Sequence, residues 1–531
     1  MSPVIIKRCL TGVLLVSTAI AGCSPPAKPA PKIGEKTQVS SSATIGELTE
    51  VFIPQAIPVE GYALVSNLRG AGSSQCPPAV RQYLEQYMLK QLPAKTNVSA
   101  IIDSTDTAVV HISGNIPANA SKNDRFDLKV AALAGTQTTS LEGGILLGAE
   151  LKVKGQFSVG AKTLALAEGP VFINSLGDSP IDKRSGFILA GGRVLNDSQI
   201  NLVINDKNYR LTRRICDRIN ERFGSAAAKA VMPGQITLSI PDRYKGQENH
   251  FLALLQTTYL FAPAQNQKID SLISELANSE NKLQSETALE AIGIAAAEKL
   301  ASLLNSADEK TRLSAARCLL NVGDDRGLEP LRTLALDKNS KYRIEALEAI
   351  SFGAKRNDAS AILQRLLRDD DFNMVLASYR QLCKIDDIAV SRQIVGRNFY
   401  LDIVSGSSKQ FIYVSRSGTP LIVLFGDAIY CRVGTFAQSD DSSIIINATE
   451  NLDNVQVIRK LPNIPPIKVE CSYKLSDIIG TLCEEAELPQ NSPRKPGLNV
   501  PYADMISIVK QLCDKQAVFA QFFAGPLPKI D

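Results

Sequence analysis

Part of this chain repeats itself. Ala315, Ala346 and Ala377 recur at a step of 31 residues, and Leu313, Ile344 and Val375 keep the same step. Residues 311–340, 342–371 and 373–387 read as successive copies, with residues 286–308 as a less regular copy at one end. A unit of that length with two apolar-periodic runs is a helix pair. Such a pair cannot bury its apolar stripe alone, so successive pairs stack into an α-solenoid. A small Ala at a fixed place in the first helix lets neighbouring helices approach. Asp324–Asp325 and residues 369–371 fall at the helix turns, where carboxylates ordinarily cap. Cys318 and Cys383 fall on apolar helical faces, where a buried thiol is expected. Such an array serves either as a protein-binding surface or as a spacer that props its flanking domains apart.

The array accounts for a minority of the 531 residues, so several domains are expected. The N-terminus reads as a targeting segment. Lys7 and Arg8 precede an apolar run over residues 10–21 that is too short for a permanent span. Ala21, Gly22 and Cys23 follow, and this order resembles a bacterial lipobox in which Cys23 is lipidated and becomes the mature N-terminus. Ser24 after it resembles the sorting pattern for the outer membrane. The signal is assigned to residues 1–22, and a Pro-, Lys- and Ser-rich tether to residues 23–46.

Residues 47–262 form the first large domain. Residues 59–89 read as strand, glycine turn and helix, with Pro77 and Pro78 at the helix start. The turn at Gly70 and Gly72 lacks the third glycine of a dinucleotide loop and the Lys of a P-loop, so a plain tight turn is expected. Residues 108–133 and 162–174 alternate as strands. Between them lies SLEGGILL, residues 140–147, whose Gly143–Gly144 pair frees the backbone and whose Ile145 to Leu147 read as a buried strand. Residues 195–224 read as a strand and then an amphipathic helix ending at Gly224. Its arginines Arg210, Arg213, Arg214, Arg218 and Arg222 read as a solvated basic face partnered by Asp217 and Glu221. The alternative is a contact with an acidic neighbour.

Five consecutive segments, over roughly residues 60–260, resemble the flagellar P-ring protein family in order and spacing. The residues that carry the likeness are Gly61, Tyr62, Gly70 and Gly72; Ser140, Leu141, Gly143 and Gly144; and Ile219, Asn220, Phe223 and Gly224. Residues 263–388, the array above, resemble HEAT repeats. The P-ring resemblance implies self-assembly into a ring in the periplasm around the flagellar rod. That ring would act as a bushing against the peptidoglycan or the outer-membrane ring. Its residues would have a structural role in the domain core. Two departures stand out. Nothing after Leu260 resembles the family's later strand pair, and the lipobox implies a membrane anchor that the family does not typically carry.

Residues 389–531 hold short β-rich runs between Gly, Ser and Asp turns, with a helix over residues 502–513 and a last strand near residues 517–523. The expected class is thus multidomain: an α+β P-ring-like domain, an α-solenoid of HEAT-like repeats, and a small β-rich α+β domain. No cofactor, metal or catalytic residue is expected. With 2 His in the whole chain, zinc sites and His-based catalysis are poorly supplied. Gly177-Asp178-Ser179 lacks a suitably placed His downstream for nucleophilic chemistry. A net charge of +4 argues against nucleic acid as a partner. The expected function is a non-enzymatic ring subunit. The alternative is a lipid-anchored periplasmic adaptor, unrelated to motility, whose repeats hold an unknown protein.

Overall fold

The computed structural model describes residues 40, 42–91, 96–156, 160–176, 181–261, 268–396, 399–439, 441–450, 453–461, 464–484 and 497–530. The targeting segment, Cys23 and the Gly177-Asp178-Ser179 stretch lie outside the described residues.

Helix α1 (Ile45–Leu48) opens with a reciprocal cap between Thr44 and Glu47 and runs into strand β1 (Thr49–Phe52). The alternating runs then close into a barrel in the order β2-β3-β4-β7-β6-β5. Its strands are β2 (Ile57–Ser66), β3 (Ala108–Ile116), β4 (Arg125–Ala132), β5 (Ile145–Val153), β6 (Ala165–Pro170) and β7 (Ser185–Val194). Alternation sends Val59, Val65, Val110, Ile112, Leu128, Val130, Leu151 and Ile188 into one shared core. Helices α2 (Pro78–Gln91) and α3 (Val98–Ile102) lie between β2 and β3 in the chain, and pack through Val80, Tyr83, Leu84 and Ile102 against Leu64 and Val109. The expected buried strand at 145–147 is corrected. Leu146 is buried but Ile145 is 45% exposed, because a barrel strand buries every second side chain.

Strand β8 (Ile200–Ile204), helix α4 (Tyr209–Phe223), and strands β9 (Ala228–Met232) and β10 (Gln235–Leu238) follow. They build an antiparallel sheet of order β1-β8-β10-β9. Helix α5 (Glu248–Thr257) comes next.

The repeats are helical throughout: α6 (Ile269–Asn278), α7 (Leu283–Ile292), α8 (Ala297–Ser302), α9 (Glu309–Asn321), α10 (Leu328–Leu336), α11 (Arg343–Gly353), α12 (Arg356–Leu366) and α13 (Phe372–Lys384). Ala315 and Ala346 are fully buried at the helix contacts, whereas Ala377 is half-buried in the last copy. One periodic position departs from expectation. Ile344 is 40% exposed, because it lies in the first turn of α11, off the stripe formed by Ala346, Leu347 and Ile350. Cys318 is fully buried, and Cys383 partly so.

The C-terminal part holds two sheets. Strands β11 (Val390–Val395), β12 (Phe399–Val404), β13 (Phe411–Val414) and β14 (Leu421–Phe425) join one. Strands β15 (Thr435–Gln438), β16 (Ile444–Ala448), β17 (Val455–Leu461) and β18 (Ile464–Cys471) form the other. Helices α14 (Leu475–Cys483) and α15 (Tyr502–Asp514) precede β19 (Gln521–Ala524), which completes the first sheet in the order β11-β12-β14-β13-β19. That sheet is covered on both faces. Phe411, Tyr413, Val423 and Phe425 pack on the repeats, and Ile412, Val414, Ile422 and Leu424 pack with α14 and α15. Two-sided burial is why residues 411–414 and 421–425 read as unbroken apolar runs. Among the short β-rich runs, residues 429–434 make only isolated bridges at Tyr430 and Cys431 before β15 begins.

Candidate assembly surfaces

Two turns far apart in the chain meet at one end of the barrel. After β2 the backbone turns through Asn67, Arg69 and Gly70, all with positive φ. Gly72 N then donates to Thr105 O at 2.9 Å, and Ser73 N donates to Thr107 O at 2.9 Å. A Cβ on Gly72 would overlap Thr107 O and stand 2.7 Å from Thr105 O, so only glycine fits. In the second turn Ser140 Oγ accepts from Glu142 N at 3.1 Å. Leu141 is fully buried in the barrel core. Gly143 takes a φ of 70°, and a Cβ on Gly144 would overlap Val65 Cγ1. The turns are tied together directly. Asn67 Nδ2 donates to Gly143 O at 2.9 Å, and Thr139 N donates to Ala71 O at 2.9 Å. Gly70, Gly72, Ser140, Leu141, Gly143 and Gly144 thus converge on one knot. Gly61 and Tyr62 stand outside it, in mid-strand. Gly61 admits the β5 backbone, and the Tyr62 ring lies 5.2 Å from that of His111. Asn67 stands in the 67–72 stretch that resembles the family, but its role in tying the two turns was not legible there.

Helix α4 and its C-terminal cap carry the other four residues. Ile219 is fully buried. Asn220 Nδ2 donates to Ala228 O and its Oδ1 accepts from Ala228 N, both at 2.9 Å. Thr212 Oγ1 accepts from Gly234 N at 3.0 Å, so α4 grips both ends of the β9–β10 hairpin. Gly224 ends the helix with its N–H on Asn220 O. Phe223 packs edge-on against Phe251 at 5.0 Å. The solvated basic face is corrected for part of the row. Arg222 Nη2 donates to Glu290 O at 2.5 Å, and Arg218 Nε donates to Tyr259 O at 3.1 Å. Arg214 lies over the Phe261 ring. Three of the five arginines therefore bind fixed groups of the chain itself. Arg213 pairs loosely with Asp217, as a solvated face does.

The repeats are held at both ends. On one side His250 Nε2 lies 3.1 Å from Glu290 Oε1, Asn321 Nδ2 donates to Glu290 Oε2 at 3.0 Å, and Arg243 stacks on Phe352. Arg317 donates to both oxygens of the buried Glu286. Together with residues 246–250 these helices line a groove of about 410 Å³ whose rim carries Glu345, Glu348 and Lys384. On the other side the buried carboxylate of Asp402 accepts from Tyr379 Oη at 2.5 Å and from Arg392 at 2.8 and 2.7 Å. The C-terminal part then returns to the barrel. Asp127 accepts from Gly418 N at 2.8 Å and from Ala190 N at 2.7 Å, Arg416 Nη1 reaches Asn174 Oδ1, and Phe172 lies 6.1 Å from Tyr502. The spacer reading of the repeats is therefore corrected. The two parts that the repeats join in sequence also touch each other.

Near that junction, burial and then the Glu142 and Asp441 carboxylates push the Asp504 carboxyl up to about 6, against the pull of Arg459 and Arg69. A carboxyl raised in the fold holds its proton more tightly than in the unfolded chain, where it titrates near ~3.9. Its contribution is therefore most favourable below about pH 4 and declines as pH rises through about 6. Asp504→Asn is expected to stabilise the protein at pH 7.5 by on the order of 2 kcal/mol. It should also flatten the pH 4–6 slope in urea melts. An unchanged slope would contradict this placement.

Among the described residues no group of three His, Cys, Asp or Glu side chains is placed to hold a metal ion. No described helix is long and apolar enough to cross a membrane.

Comparison with known proteins matches residues 44–270 to the family described as "Flagellar P-ring protein" and residues 269–351 and 297–384 to HEAT repeats. A flagellar P-ring protein of Rhodopseudomonas palustris is 26% identical over 236 residues, which is 41% of this chain and 61% of the relative. One from Nitrosomonas europaea is 30% identical, over 38% of this chain and 56% of the relative. One from Campylobacter lari is 25% identical, over 62% of this chain and 92% of the relative. For most of the relatives compared the chain spans less than two thirds of their length, for example 61% and 54%. A solved engineered protein matches at 22% identity with a TM-score of 0.19, which carries no argument about the fold. Residues 44–270 are thus similar to the flagellar P-ring protein and residues 269–384 to HEAT repeats, joined in one chain and followed by a C-terminal part that neither match covers.

Proposed function

We propose that this protein is a structural subunit of a P-ring-like assembly in the periplasm, with no catalytic chemistry of its own. The observation that carries the reading is the knot of residues 67–72 and 139–144. Two glycine-dependent stretches of the matched segment are spent on packing two turns together, and Leu141 is buried in the barrel core. By the family resemblance, copies would assemble into a ring around the flagellar rod and bear on the peptidoglycan or the outer-membrane ring. Lipidation of Cys23 would tether the chain to the outer membrane. Under this reading a strain lacking the gene fails to swim in soft agar while still growing normally, and the full-length gene restores swimming. Undiminished swimming in the deletion strain contradicts it.

Two observations favour a second reading. The barrel's Asp127 and Phe172 are already engaged by the chain's own C-terminal part, and the repeats keep a polar groove open. Both suit a lipid-anchored adaptor that reuses a P-ring-like barrel and holds a protein partner on its repeats.

A further inference from the structure

Three sheets of this chain are open among the described residues, and their outer strands are β1 and β9, β11 and β19, and β15 and β18. Native proteins usually cover, charge or twist away such edges, since a free edge is a template for another chain. At the far edge of the first sheet α4 does this for β9, through Asn220. The edges of β1 and β11 instead present large apolar side chains. Phe52 is 57% exposed and Ile53 44%, while Ile394 is 75% exposed.

The two edges are also complementary. Glu50 and Phe52 stand two residues apart on one face of β1, and Arg392 and Ile394 stand two apart on one face of β11. In a parallel pairing Glu50 lies beside Arg392 and Phe52 beside Ile394. In an antiparallel pairing that sets Phe52 opposite Arg392, the same partners become diagonal neighbours, still within reach of long and aromatic side chains.

We propose that the outer edge of β1 in one copy of this chain adds to the outer edge of β11 in a second copy. The inference rests on the self-assembly reading above and names the surfaces that perform it. Because the two edges differ, the contact is heterologous. Each copy offers β1 to one neighbour and β11 to the other, and the series closes into a ring when the rotation per copy divides a full turn. Main-chain hydrogen bonds supply the pairing and the Phe52–Ile394 contact chooses the partner, while Glu50 meets only the part of the Arg392 guanidinium that Asp402 leaves free.

The test uses the full chain in its own cells, with the photoreactive residue benzoylphenylalanine at position 52 and irradiation in vivo. The expected product is a multimer whose peptide map joins position 52 to residues 388–396 of another copy. Ile394→Glu should reduce that product at least about tenfold, equivalent to roughly 1.4 kcal/mol. Ile388→Glu, at a 96% exposed position just before β11, should lower it as well and serves if the first variant fails to fold. Leu89→Glu, exposed outside both edges, should leave it unchanged. Multimers joined through other segments overturn the edge pairing while the self-assembly reading stands. A wild-type chain that also stays monomeric under a general amine crosslinker overturns both.

Discussion

Gly72→Val is expected to destabilise the protein by about 3 kcal/mol, at the upper end of what overpacking costs. The atoms a side chain would meet there are Thr107 O and Thr105 O, both backbone and both already accepting hydrogen bonds from this turn. Neither has the freedom of a side-chain tip to move aside, so either the turn opens or the start of β3 shifts. The damage should spread, because Thr139 N is bonded to Ala71 O and Asn67 to Gly143 O, and the second turn loses its footing with the first. Gly143→Ala is the control. Its site is open and only its φ of 70° is unfavourable to a Cβ, so it should cost about 1–2 kcal/mol. Thermal scans and limited proteolysis of both variants check the ranking. Equal stability of the two would mean that the turns do not pack as described.

The second large effect is at Asp402. Its carboxylate is fully buried and holds the hydroxyl of Tyr379 from the last repeat helix and both donors of Arg392 from β11. Burial, and then the hydrogen bond to Asp402, raise the Tyr379 hydroxyl well above the usual tyrosine range, so it stays a donor. Arg392→Met removes the one cation that pairs with that carboxylate among the described residues and should cost about 3–5 kcal/mol, because a buried charge is left unpaired. Adding Asp402→Asn should recover more than half of the loss. The neutral amide still accepts from Tyr379 and no longer needs a counter-charge. Urea unfolding of the two variants measures this, and a double variant no more stable than the single one would contradict the buried-charge account.

What could be read from the sequence depended on whether one element sufficed to show it. The repeats were plain because Ala315 and Ala346 each return at a fixed step, and a helix stack reads its pattern locally. The continuous apolar runs at 411–414 and 421–425 announced strands, but not that they are buried from both sides. Closure of the barrel was not legible, since alternation fixes which side chains face inward and says nothing of which strands pair. The knot was half legible. Its glycines stood out, while Asn67, the side chain that ties the turns, looks like any loop residue. The basic row on α4 misled because spacing alone does not show where a guanidinium ends. Arg222 and Arg218 find backbone carbonyls 68 and 41 residues further along the chain. Helix α14 was missed, lying as it does between a strand and a run of polar residues.

The central claim is that the chain serves a P-ring-like assembly. The most direct test is an immunoblot for this protein in purified hook–basal bodies. The account predicts a band that stays with the basal body through detergent extraction and density banding, at an abundance comparable with other ring subunits. Its absence from basal bodies of normally swimming cells would contradict the account and leave the lipid-anchored adaptor in its place.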